Sequence, residues 1–109
     1  MNVDHRTIND VLVIDLREGE GRLSEGDIDE FIGCIFGLAV AEKGTIALNL
    51  SMKPYLNSTG LSDLIKVKDR LLDRGIEMVL ISPTPRVMSL LEMAGVGRFF
   101  NIIGSEDKL

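Results

Sequence analysis

Apolar positions along the chain change period several times, and each change marks an element. Val3 to Ile8 and Val11-Leu12-Val13-Ile14-Asp15-Leu16 are strand-like runs separated by Asn9-Asp10, a two-residue turn pair, and together they predict a hairpin. The polar, glycine-containing run Arg17 to Arg22 reads as a loop. Ile28, Phe31, Ile32, Ile35, Leu38 and Ala39 then recur at helical spacing, with Ser24 as the expected N-cap and Asp27 in an acidic first turn. Gly33 and Gly37 lie inside that helix. Each costs about 1 kcal/mol against Ala, or else lets the helix approach a sheet closely. Lys43-Gly44 ends it.

Thr45-Ile46-Ala47-Leu48-Asn49-Leu50 has the character of a buried strand. After the loop Ser51 to Leu56, a helix is predicted from about Ser58 to Arg74. Its inner stripe is Leu61, Leu64, Ile65, Val67, Leu71 and Leu72, with Lys66, Lys68, Asp69, Arg70 and Asp73 opposite and Gly75 at the left-handed stop. Ile76 to Ile81 is the next strand. Thr84-Pro85 caps a helix whose inner face is Val87, Met88, Leu90, Leu91 and Ala94, closed by Gly95. Phe99-Phe100-Asn101-Ile102-Ile103 predicts a last strand, or a short helix and then a strand. The order ββαβαβα(β) calls for parallel pairs joined by right-handed crossovers, with the opening hairpin as an antiparallel edge. The expectation is an α/β domain: a mixed, mostly parallel sheet of four to five strands with helices packed on it. At 109 residues there is room for one core, so residues 1–109 read as a single domain.

The 45% apolar and 27% charged composition suits a globular domain and leaves that picture unchanged. Charge narrows the partners. The net charge is −5, with Lys and Arg dispersed, which argues against direct nucleic-acid binding and against an anionic membrane surface. No apolar run approaches the roughly 20 residues of a membrane span. Met1 to Arg6 lacks the apolar centre of a signal peptide, so a cytoplasmic location is the default expectation. Cys34, the one cysteine, leaves no intrachain disulfide and reads as a small buried hydrophobe among Ile32, Ile35 and Phe36. His5, the one histidine, has no visible acid or metal partner. No Gly-x-Ser-x-Gly nucleophile turn and no metal-ligand spacing occur. The acid pairs Glu18/Glu20 and Asp27/Asp29 fall in a loop and a first turn, where solvation and the helix dipole account for them. The expectation is a protein that is not an enzyme, with no catalytic set, metal or cofactor.

The informative chemistry is Asn57-Ser58-Thr59-Gly60, which opens the second predicted helix. A serine hydroxyl there sits beside unpaired backbone N–H groups and the positive end of the helix dipole, which favour an added negative charge. Two readings stand. Asn57 is a cap worth about 1 kcal/mol with Ser58 a plain first-turn residue, or Ser58 is a phosphorylation switch. Thr59 is a second candidate acceptor unless its branched side chain turns inward, and Gly60 suits close helix–loop packing. Met52, Pro54 and Tyr55, just upstream, suit either a binding surface or packing on the sheet edge.

The chain resembles the STAS domain family of bacterial anti-sigma factor antagonists and of sulfate-transporter cytoplasmic tails. The resemblance is strongest from Ile46-Ala47-Leu48-Asn49-Leu50-Ser51 through Tyr55-Leu56-Asn57-Ser58-Thr59-Gly60-Leu61, where the family reads as an apolar strand, a spacer and Asp-Ser-x-Gly-Leu. Gly21-Arg22-Leu23-Ser24, and Ser82-Pro83 with Val87, Leu90-Leu91, Gly95 and Phe99-Phe100, match more weakly. The resemblance implies partner switching. Such a protein binds an anti-sigma factor or GHKL-type serine kinase when unphosphorylated, is released on phosphorylation, and is reset by a phosphatase. It implies Ser58 as phosphoacceptor, with Ser24, Tyr55, Asn57, Thr59, Gly60 and Lys66 as motif or partner-binding residues. Three positions depart from the family pattern: Ser24, Asn49 and Asn57 stand where Asp is usual. Two alternatives follow. One is a scaffold or ligand-sensing module without phosphorylation, open to self-association. The other is a small enzyme using the crevice at an α/β switch point.

Overall fold

Residues 3–17, 20–38 and 44–109 are described by a computed structural model of the chain. The hairpin forms as β1 (His5–Ile8) and β2 (Val11–Asp15), paired antiparallel. Asn9 and Asp10 both take positive φ, 50° and 66°, the backbone pattern whose twist matches two flanking strands. Next come α1 (Ile28–Leu38), β3 (Gly44–Asn49), α2 (Ser58–Asp73), β4 (Ile76–Ile81), α3 (Pro85–Met93) and β5 (Asn101–Ile103). A 3-10 turn at Gly97–Phe99 precedes β5, so the short helix followed by a strand is the form adopted.

The strands lie in the order β1-β2-β3-β4-β5, and every pair after the first is parallel. Because that order never reverses, right-handed crossovers carry α1, α2 and α3 to one face. The order of the described strands thus contains no switch point of the kind the enzyme alternative drew on. Register aligns Asp15 with Asn49 and Asn49 with Ile81, so the carboxyl ends of β2, β3 and β4 are level.

The helical face carries the main core. Ile14, Ile46, Leu48, Met78 and Leu80 from the sheet pack with Phe31, Ile35, Leu64, Val67, Leu71, Val87 and Leu91 from the helices. The opposite face holds a smaller cluster, Val13, Ala47, Val79 and Ile81, covered in part by Ile8, Val11, Ile103 and Leu109. Hydrogen bonds from Ser82 Oγ to the Gly104 carbonyl (2.6 Å) and from Asn9 Nδ2 to the Leu109 carbonyl (3.4 Å) bring residues 104–109 back over that face.

Several side chains depart from the sequence pattern. Ser24 does not cap α1. The helix starts at Ile28, the Asp27 carboxylate accepts from the Asp29 amide (3.3 Å), and the Ser24 hydroxyl donates to the Gly26 carbonyl instead (3.4 Å). Leu23 and Ile28 are both buried. Five residues apart on one helix they would point about 140° from each other, so the turn between them is needed. Gly33 and Gly37 face solvent, and a Cβ at either would meet nothing within 4 Å, so they do not bring α1 to the sheet. Lys68 is buried rather than solvated: its ammonium lies 5.1 Å from the Phe99 ring centre and 5.8 Å from that of Phe100. Leu72 and Ala94, expected on inner faces, are exposed. Cys34 is half-buried, and His5 is exposed with Nδ1 2.9 Å from the Val3 carbonyl oxygen. Glu18, Ala39 and Lys43 lie outside the described residues.

Candidate functional site

Asn57 is the N-cap of α2. Its backbone is extended (φ −96°, ψ −176°), and its Oδ1 accepts from the Gly60 amide at 2.8 Å. Ser58 and Thr59 are therefore the first two helical residues, and both are exposed, so Thr59 does not turn inward. Gly60 is buried, and a Cβ there would collide with the Gly21 carbonyl oxygen. The same oxygen accepts from the Asn57 amide at 2.9 Å. The β2–α1 loop thus lies directly on the first turn of α2, and glycine at both Gly21 and Gly60 is what permits it.

Two side chains pin that loop. Lys53, 1% exposed, passes under it and donates its ammonium to the Glu20 carbonyl (3.0 Å) and the Arg22 carbonyl. Arg22 reaches across to Asp63 of α2, with Nε 3.2 Å from one carboxylate oxygen. On the other side, the Thr84 hydroxyl donates to the Lys53 carbonyl at 3.1 Å and accepts from the Val87 amide as the cap of α3. The β2–α1 loop, the β3–α2 loop and the start of α3 therefore form one braced unit, with the Ser58 hydroxyl on its surface. Lys53, Gly21 and Arg22 carry this brace; sequence reasoning named Gly21 and Arg22 only within a weak family match and did not single out Lys53. The available signal was weak: one Lys among Met52, Pro54 and Tyr55, and a glycine before Arg22-Leu23.

The other expected site residues divide by position. Tyr55 is half-buried at the edge of the unit, its ring close against Gly21, with the Arg86 guanidinium 5.4 Å from its centre. Lys66 lies two turns along α2 and pairs with Asp29 of α1 at 2.8 Å, joined by Arg70 at 3.5 Å. That pair holds the Asp29 carboxyl below its ordinary value, the Lys66 hydrogen bond being the larger cause. Lys66 thus serves the α1–α2 contact and is not gathered around Ser58. Ser24 lines a separate cleft of about 560 Å³ with Asp15, Leu16, Leu23 and Phe31.

At the end of β3 the Asn49 amide donates to Asp15 at 2.7 Å, so a carboxylate is present at the strand ends, but on β2. Arg6 also binds Asp15 (2.7 Å) and Glu106. The Asp15 carboxyl is held below its ordinary value, first by the Arg6 hydrogen bond and further by Asn49. Among the described residues no group of His, Cys, Asp and Glu could hold a metal ion, and no helix is long and apolar enough to cross a membrane.

A serine in the first turn of α2, on a mixed and mostly parallel sheet, is what the sequence resemblance led one to expect. The STAS domain model matches residues 2–109, and the chain belongs to the STAS domain family. Its fold is similar to that of a candidate anti-sigma factor antagonist from Thermotoga maritima, with TM-score 0.73, 18% identity and coverage of 97% of this chain and 89% of that one. It is likewise similar to an anti-sigma-factor antagonist (STAS) domain protein from Planctomyces limnophilus, at TM-score 0.75, 13% identity and coverage of 97% and 92%. A third similar structure is the anti-sigma factor antagonist SpoIIAA in its unphosphorylated form, at TM-score 0.69, 17% identity and coverage of 98% and 92%. No curated protein matches this chain in sequence.

Proposed function

We propose that this STAS domain is a partner-switching regulator of the anti-sigma factor antagonist type, a binding protein and not an enzyme. In its unphosphorylated state it binds an anti-sigma factor or GHKL-type serine kinase; phosphorylation of Ser58 releases it, and a phosphatase restores it. The reading is supported above all by the position of Ser58: exposed, first in α2, on a surface whose three surrounding loops are held by Lys53, Arg22 and Thr84. The fold likeness to antagonists, one of them in its unphosphorylated form, points the same way.

A phosphate adds about −1.5 to −2 charge and three acceptor oxygens. At the start of α2 that charge meets the positive end of the helix dipole, so the domain tolerates it without unfolding. Against a partner surface the same dianion has to be desolvated. Taking the partner from mostly bound to mostly free requires about 5 kcal/mol of differential affinity, and a buried unpaired dianion supplies energies of that order. The switch then acts on binding alone.

A pull-down with wild type, Ser58→Ala and Ser58→Asp tests it, with captured proteins identified by mass spectrometry. The expected result is one kinase or anti-sigma factor held by the first two baits and lost by the third. Equal capture by all three removes phosphorylation as the control and favours the scaffold alternative. That alternative has one specific observation behind it. The residues at the three departures from the family pattern contribute no carboxylate, since they are Ser24, Asn49 and Asn57.

A further inference from the structure

We propose that the groove between Tyr55 and α3 is a docking site for an acidic amphipathic helix of the protein partner. The inference deepens the proposed function and rests on its reading that the protein binds a partner through the Ser58 side. The groove, about 390 Å³, is lined by Tyr55 and Leu56 on one side and by Pro85, Arg86, Ser89, Leu90 and Met93 of α3 on the other. Arg86, Ser89, Leu90 and Met93 stand at i, i+3, i+4 and i+7, so they share one face of α3. Met93 is 87% exposed, the highest exposure of any large apolar side chain among the described residues. An aromatic, an arginine and an exposed methionine on one concave surface are the residue types enriched at the cores of binding interfaces.

Charge selects the occupant. The chain carries a net charge of −5, yet this groove has no acidic lining residue and one cation. Among the described residues Arg86 has no carboxylate partner. Its guanidinium lies over the Tyr55 ring, which orients it and leaves its N–H fork free for a partner's carboxylate. A helix that lays an apolar stripe against Leu90 and Met93 and offers Asp or Glu to Arg86 satisfies both features. A basic helix does not. The groove also adjoins the switch: a Cβ on Gly21 would lie 2.7 Å from Asn57 Nδ2 and 2.9 Å from Tyr55 Cε2, so the Tyr55 ring and the cap of α2 meet at one point. Ser58 follows Asn57 directly, so a phosphate there adds its charge beside that cap and repels the acidic helix, which couples the modification to release.

The test is an amide chemical-shift titration of the full chain with two synthetic helical peptides of about 18 residues, long enough to hold a helix. Both carry the same leucine stripe, one flanked by Glu and the other by Lys. Shifts are expected at residues 55–56 and 85–93, with the Glu peptide bound about fivefold more tightly, the ratio that roughly 1 kcal/mol of one surface charge pair supplies. Arg86→Glu should reverse that preference, and Met93→Asp should abolish binding with the spectrum otherwise preserved. Ser58→Asp should weaken the Glu peptide alone. Shifts confined to other surfaces, or a preference unmoved by Arg86→Glu, overturn the proposal. So do groove shifts that depend only on protein concentration, which would assign the groove to a second copy of the chain. The pull-down reads the switch separately: partner loss in Ser58→Asp without groove binding leaves the switch and removes the groove, while groove binding with equal capture by all baits supports the groove and removes the switch.

Discussion

Gly60 shows how far a single atom governs the site. Its Cα faces the Gly21 carbonyl, which also accepts from the Asn57 amide, so any side chain at position 60 pushes the β2–α1 loop off the helix. Gly60→Ala is expected to destabilise the domain by about 1–3 kcal/mol, the cost of overpacking against backbone that cannot yield. Urea denaturation measures it, and an unchanged midpoint would show that the loop moves freely. Asn57 was legible as a cap from the sequence, because capping depends on residues three apart in the chain. The burial of Lys53 was not, because its partners are the Glu20 and Arg22 carbonyls, more than 30 positions away.

At the scale of elements, α1 was predicted from its apolar stripe, and the structure returns that stripe, with Ile28, Phe31, Ile32 and Ile35 buried. Its two glycines could not be interpreted from sequence, since the same residue serves close packing or merely weakens a helix. The structure decides for the second: both face open space. Gly33→Ala and Gly37→Ala are each expected to stabilise the domain by about 0.5–1 kcal/mol, through lost unfolded-state entropy and better helix propensity. Calorimetry should show a raised Tm for each and an additive rise for the pair; a fall would mean that α1 needs those positions to lack a Cβ. On α2 the period predicted the inner face but misassigned Lys68 and Leu72. The Phe99 and Phe100 rings come from a distant segment and draw the Lys68 ammonium inward, while Leu72 stays 51% exposed.

The whole molecule closes through contacts that join its ends. Arg6 of β1 binds Asp15 and Glu106, 100 residues apart in the chain from the latter, and Asn49 completes the group. In the folded protein Asp15 is held below the ordinary Asp value of 3.8. A carboxyl whose pKa is lowered by folding contributes stability above its unfolded value, and that contribution is lost as pH falls through the folded one. Stability is therefore expected to hold above about pH 4 and to decline below it. Asp15→Asn should show a flatter decline in acid unfolding followed by circular dichroism. A profile identical to wild type would mean that Asp15 titrates as it does in the unfolded chain.

The sequence by itself determined the order of elements, the hairpin turn, the caps at Asn57 and Thr84, the left-handed stops at Gly75 and Gly95, and the likeness to the STAS family. Each is a local matter: a period, a cap or a turn is written within a few consecutive residues. Only the tertiary structure decided what those elements bring together. Gly21 against Gly60, Lys53 under the β2–α1 loop, Lys66 drawn to Asp29, and Arg86 over Tyr55 are all contacts between residues tens of positions apart, and no periodicity along the chain encodes which side chains will meet.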